Sequence, residues 1–359
     1  MRCKSKNDLL CAMLRRTFFT NITLTAVGAW WPFRRAAAIS STNMKKKRIK
    51  PAPIRPGATI ALIAPASPPS DSKIEQALNN LEAMGFRVQP GTHLRTRYGY
   101  LAGTDTERVA DIHEAFSNPD IDAVWCVRGG YGCTRLLPLL DMELIRKHPK
   151  PLIGFSDVTA LHIALYQEAG LVSFHGQVGG GDMTPFTLRY LQHTLFSPQP
   201  TLEIGPFEGD LVKTPTFEAF TLRSGRAQGP LIGGNLALLS AMAGTEWAPR
   251  FKDHIVYIEE IGEAPYRIDR MLTQLLQGSD LRQAAGIVLG IFADCIQKGD
   301  TPSFTLKETL LHCFEGQKVP VYYGAPFGHI SDQCVLPCGI HAEMDADRMT
   351  LRLLEAGVA

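Results

Sequence analysis

The stretch PLIGFSDVTALHIAL, from Pro151 to Leu165, ends an apolar run at Gly-Phe-Ser-Asp and begins a helical pattern at once. Ser156 therefore stands where a strand turns into a helix. A side chain at such a turn is exposed, and backbone N–H groups at the helix head can stabilise an oxyanion. That placement suits a nucleophilic serine, provided a base lies within hydrogen-bond reach. It suits a helix cap equally well, because Ser and Asp are preferred caps, each worth about 1 kcal/mol. Val158 occupies the place of the second glycine of G-x-S-x-G, so the junction alone leaves both readings open.

A serine nucleophile needs a histidine and an orienting carboxylate, in any chain order. His175 in SFHGQ and His329 in PFGHI lie beside glycines at expected strand ends, whereas His113 and His162 fall inside helical patterns. The run VYIEEIGEAPYR supplies Glu259 and Glu260 at the end of an apolar strand. Alternation points their side chains to opposite faces. One is expected to face a cleft, the other solvent or a partner such as Arg267 or Arg270. Arg128 to Gly132, RGGYG, follows another apolar run, and its glycines permit a sharp turn or close backbone approach to a ligand. The run has no P-loop lysine, and APAS after the first strand has no dinucleotide-binding glycines.

These residues need a frame that gathers strand ends. From Arg55 onward short apolar runs alternate with helical periodicities: ATIALIAPAS, FRVQPG, TERVADIHEAFSN opening on Asp105 or Thr106, IDAVWCVRGGYG, PLIGFSD, LVSFHG and TLRYLQHTLF. Such alternation predicts an α/β fold with a parallel sheet covered on both faces, whose ligands collect at the carboxyl ends of the strands. Residues 54–196 form the expected N-terminal domain. The Pro- and Gly-rich stretch 197–229 reads as a crossover, and 230–359 as a smaller, strand-rich α/β C-terminal domain.

The formal charge of +2 hides an asymmetry: residues 1–50 carry twelve basic side chains against Asp8 alone. The remaining chain is mildly acidic, which argues against a nucleic-acid partner. Arg15-Arg16, an uncharged stretch from Thr17 to Phe33, and Ala36-Ala37-Ala38 fit a twin-arginine export signal over 1–38, read by the Tat export machinery. An uncleaved N-terminal anchor is the competing reading, and KKKRIK within 39–53 reads as a solvated basic linker. The C-x3-C spacing of Cys334 and Cys338, near His329 and His341, has no second pair, so no metal site is expected. A disulfide formed after export is the alternative for that pair.

RGGYG, GFSD, GPLIGGNLALL, EEIGEAPYRIDRML and PFGHI, in this order, closely resemble the LD-carboxypeptidases, from about Arg55 to Leu354. That family includes murein tetrapeptide carboxypeptidases and microcin C immunity proteins. The resemblance implies an N-terminal domain like class I glutamine amidotransferases and a C-terminal domain that supplies Glu and His. It implies a triad of Ser156 as nucleophile, His329 as general base and Glu259 as orienting carboxylate, leaving Glu260 a structural role. Oxyanion donors would be the backbone N–H groups of Gly130 and Asp157, with Asp157 also free to cap the helix through its side chain. Arg128, Tyr131 and Asn235 are expected substrate contacts. No cofactor is implied, and members are usually homodimers. The expected reaction is removal of the terminal D-Ala from a murein tetrapeptide in the periplasm, with a cytoplasmic location as the alternative. Cleavage of an aminoacyl-nucleotide amide, as in the immunity proteins, is one competing function. An exported peptide-binding protein without activity is another.

Overall fold

The computed structural model describes residues 47–207 and 215–359; the expected export signal lies outside the described residues. The described residues form one compact unit with two sheets. The first contains β1 (Thr59–Ile63), β2 (Arg87–Pro90), β3 (Ala123–Cys126), β4 (Leu152–Gly154) and β5 (Phe174–His175), all parallel, in the order β5-β4-β3-β1-β2. Apart from the edge strand β2, its strands are short and buried on both sides, as continuous apolar runs require. Trp125 fills the centre of β3 and donates its indole N–H to the Gln177 carbonyl at 2.9 Å, so its one polar atom is not stranded in the core.

Helices α1 (Asp71–Ala83), α2 (Asp105–Ser117), α3 (Met142–Lys147), α4 (Thr159–Ala164) and α5 (Pro185–Leu191) accompany these strands. The cap of α2 is Thr104, one residue before Asp105 and two before Thr106, because Thr104 and Glu107 close a reciprocal capping box. The end of the basic linker is docked rather than solvated. Ile49 bridges to Leu171, and Arg48 and Lys50 both pair with Glu355 at 2.8 Å.

The second sheet takes β6 (Leu202–Ile204), β7 (Phe220–Arg223), β8 (Arg226–Asn235), β9 (Ile255–Ile261), β10 (Gly286–Ala293) and β11 (Val321–Gly328). After β12 (Leu336–Pro337), which joins the first sheet antiparallel to β5, β13 (His341–Asp345) and β14 (Thr350–Leu353) complete it. The order is β6-β14-β13-β8-β9-β10-β11-β7, with β8 to β11 parallel and the flanks antiparallel. The stretch 197–229, read as a crossover, thus contributes β6, β7 and the start of β8. Its strands were hidden because each is short and bounded by Gly or Pro. Helices α6 (Leu236–Met242), α7 (Pro265–Gly278) and α8 (Leu306–Cys313) pack with the second sheet.

One contact ties the second sheet to helix α4. Gly234 at the end of β8 has φ +143, and a Cβ there would lie 2.2 Å from the Thr159 hydroxyl. Only glycine lets the strand approach α4 so closely. The adjacent Asn235 N–H donates to Thr159 Oγ1 at 2.9 Å. The helix that follows the GFSD turn is thereby fixed to the strand beside β9.

Candidate active site

Ser156 opens a short 3-10 turn between β4 and α4 with φ +65, one of four non-glycine residues of positive φ among those described. Such a conformation is costly for a side-chain-bearing residue and persists only where its surroundings impose it. Here it directs the hydroxyl out of the turn. No side chain caps this turn or α4. Asp157 is fully buried, and its Oδ2 instead accepts the Cys133 N–H at 2.8 Å. The expected Asp157 cap is therefore absent, because the carboxylate reaches across to the segment that follows RGGYG.

Glu259 lies on β9 opposite Asn235 of β8, and His329 follows the last residue of β11. His329 Nδ1 is 2.7 Å from Glu259 Oε2, and His329 Nε2 is 3.1 Å from Ser156 Oγ. Three residues from three strand ends thus form one hydrogen-bonded line. Gly328 makes the approach possible: at φ +127, a Cβ there would stand 2.6 Å from the Ile291 carbonyl and 3.3 Å from Glu259 Cβ. Phe155 packs edge-on to the His329 ring at 4.8 Å and limits its tilt.

The electrostatics follow from burial and neighbours. Burial alone would push the His329 imidazole down, but the Glu259 charge, its hydrogen bond and the Glu260 charge outweigh that cost, and the net shift is upward. Glu260 is pushed up to about 7, chiefly by burial and then by the adjacent Glu259 charge. The pair does face opposite ways, but Glu260 meets neither solvent nor an arginine. It accepts from Asn235 Nδ2 at 3.0 Å, the Ile261 N–H at 2.8 Å and the Ala237 N–H at 2.8 Å, because α6 begins over that face. Arg267 pairs with Glu263.

The remaining expected site residues divide into two groups. Gly129 lies against the serine: a Cβ there would be 2.8 Å from Ser156 Cβ and 3.0 Å from its Oγ. Gly130, at φ +126, passes Ser67 so closely that a Cβ would overlap the Ser67 side chain. The Tyr131 N–H donates to Ser67 Oγ at 3.1 Å. Arg128 and Tyr131 are exposed on the rim, where the Tyr131 ring lies 5.7 Å from that of Tyr100. Asn235 is buried as the N-cap of α6, its carboxamide engaged by Leu238 N–H and Glu260. Tyr100 escaped the sequence reading, and Ser67 entered it only as the end of APAS, since nothing in the local pattern of either signals proximity to RGGYG.

His175, the other histidine weighed as a base, is fully buried and held neutral by burial and by the nearby His162 and His329. Its ring nitrogens have no partner among the described residues. Cys334 and Cys338 are buried and not joined in a disulfide, and no cluster able to hold a metal occurs among the described residues.

The profile described as LD-carboxypeptidase N-terminal domain matches residues 60–176, and that of the C-terminal domain matches 228–344. The chain belongs to the LD-carboxypeptidase family. An LD-carboxypeptidase relative, "Probable murein peptide carboxypeptidase" of Bacillus subtilis, is 39% identical over 319 residues, covering 86% of this chain and 95% of its own. The murein tetrapeptide carboxypeptidase of Pseudomonas aeruginosa is 38% identical over 296 residues, covering 81% and 94%. Among solved structures, the muramoyltetrapeptide carboxypeptidase of Oxalobacter formigenes superposes with a TM-score of 0.71 at 32% identity, over 82% of this chain and 98% of its own. An MccF-like protein of Bacillus anthracis gives 0.75 at 28% identity, over 86% and 99%. The mixed α/β architecture with two sheets is thus that of known LD-carboxypeptidase relatives.

Proposed function

We propose that this LD-carboxypeptidase is a serine enzyme that hydrolyses the L,D-amide bond before the terminal D-Ala of murein tetrapeptides. The observation that carries the reading is the line Ser156–His329–Glu259, with 3.1 and 2.7 Å separations, ending at a serine of positive φ. In this mechanism His329 Nε2 takes the Ser156 proton as Oγ attacks the amide carbonyl carbon. Glu259 fixes the tautomer and stabilises the imidazolium. Backbone N–H groups of Asp157 and Gly130 hold the developing oxyanion, a contribution worth on the order of 10²–10³ in rate per donor. His329 then protonates the leaving nitrogen, the C–N bond breaks, and water, deprotonated by His329, cleaves the acyl-enzyme. Arg128 and Tyr131 on the rim are the proposed substrate contacts, whereas the Asn235 carboxamide is committed to the Leu238 N–H and Glu260 and is not one of them, and the active form is a homodimer.

Incubation of purified protein with a disaccharide tetrapeptide, followed by mass spectrometry, tests the reading. Tripeptide and free D-Ala are expected, and no release from the intact enzyme overturns it. The identity of 39% and 38% to the two murein enzymes, against 27% over 332 residues to a microcin self-immunity protein of Escherichia coli, favours murein over an aminoacyl-nucleotide amide. Export through the twin arginine places the enzyme in the periplasm. Replacing Arg15 and Arg16 by Lys is expected to retain it in the cytoplasm, and unchanged fractionation refutes export by that route.

A further inference from the structure

We infer that the side chain of Asp157 is a positioning residue that holds the glycine loop 128–132 against Ser156, an inference that rests on the acyl-transfer reading of the site. The loop needs an external tether. Gly130 and Gly132 have φ +126 and +129, a conformation the backbone does not favour for other residues and does not hold on its own. The loop leaves β3 at Cys126 and must pass Ser156 with no room for a side chain at Gly129. Its far end enters a short 3-10 turn, Cys133–Arg135, whose cap Gly132 offers no side-chain acceptor.

Asp157 supplies that missing acceptor from 24 residues away, through the 2.8 Å bond to the Cys133 N–H. Arg108 Nη1 donates to the Gly132 carbonyl at 3.1 Å, and Ser67 Oγ accepts the Tyr131 N–H. Of these three tethers, only Asp157 belongs to the turn that carries the serine. A single residue therefore presents its N–H beside Ser156 and, through its carboxylate, fixes the loop bearing the second donor. Because the carboxylate is wholly buried, the bond is shielded from water, and its loss leaves the loop end without a replacement acceptor.

The backbone N–H survives every substitution at 157 but proline, so side-chain variants isolate the tether. Asp157→Ala is expected to lower kcat on the tetrapeptide by about 10²-fold, as loss of one oxyanion donor does, with KM within about threefold. Asp157→Asn, whose carboxamide oxygen can still accept, is expected to restore most of that loss. Hydrogen exchange measured on the folded full chain is expected to accelerate at residues 128–133 in Asp157→Ala while exchange of β9 and β10 is unchanged. Unaltered exchange over 128–133, or a kcat within twofold of wild type, overturns the inference. If Asp157→Ala fails to fold, the same two measurements on Asp157→Leu, which also removes the acceptor but fills the buried space, decide it: accelerated exchange at 128–133 supports the tether, unchanged exchange refutes it. Should the wild type release no D-Ala, the functional reading fails, and the exchange measurement still decides the tether.

Discussion

Glu259 and His329 stand 70 residues apart in the chain and meet at 2.7 Å, because Gly328 lets the backbone run flush against the Glu259 side chain. The carboxylate does two things at once: it fixes which ring nitrogen faces Ser156, and it raises the proton affinity of that ring against the opposing effect of burial.

The base is active only when neutral, so an upward-shifted imidazole places the acid limb of kcat/KM above the ordinary histidine value of about 6.5. Glu259→Gln removes the larger raising influences and leaves only the Glu260 charge to oppose burial. The rate is expected to fall about 10⁴-fold, and the residual activity to titrate at lower pH than wild type. A pH–rate profile of both proteins checks the sign, and a limb that stays in place or moves upward contradicts the assignment.

Ser156→Ala deletes the attacking oxygen without changing the buried surroundings. D-Ala release is expected to drop by at least about 10³-fold with an unchanged far-ultraviolet spectrum. Release at the wild-type rate removes Ser156 from the mechanism.

Gly129→Ala inserts a methyl group 3.0 Å from the Ser156 hydroxyl and 3.2 Å from the Asp157 nitrogen. One of the three must move, and displacements of that size at a reacting atom cost on the order of 10² in rate. Steady-state kinetics is expected to show this loss in kcat with a melting temperature close to wild type. Full activity in the variant would mean that the loop does not close on the serine in solution.

Glu260 gives a stability signature distinct from catalysis. Its native value, about 7, lies above that of an unfolded glutamate, so the native state holds a proton that the unfolded chain has already lost. The stabilisation is fully present below about 4.5 and is lost as pH rises towards 7. The melting temperature of wild type relative to Glu260→Gln is therefore expected to decline across that window by a few degrees. A difference that is flat or rises with pH refutes it.

The sequence was most informative where chemistry coincides with a strand end. Ser156, Glu259 and His329 each close an apolar run, and glycines beside the first and last mark close backbone approach. What stayed hidden depends on partners distant in the chain. The Asp157 carboxylate pairs with a backbone N–H, which every residue but proline carries, so no residue type betrays it. Alternation correctly set Glu260 opposite Glu259, yet it carries no information about what covers that face, and α6 turned an expected surface group into a buried one. The strands at Leu202–Ile204 and Phe220–Arg223 are too short for a period of two to emerge.

The small strand Leu336–Pro337 has a consequence for how this chain can be divided. It lies just beyond His329, yet it pairs with Phe174–His175 and so closes the open side of the first sheet. A fragment ending before Ser197 would leave that side as an unpaired, apolar rim ready to recruit another chain. The two halves are therefore unsuited to independent expression, and would regain solubility and activity only as complementing fragments that restore the missing seam.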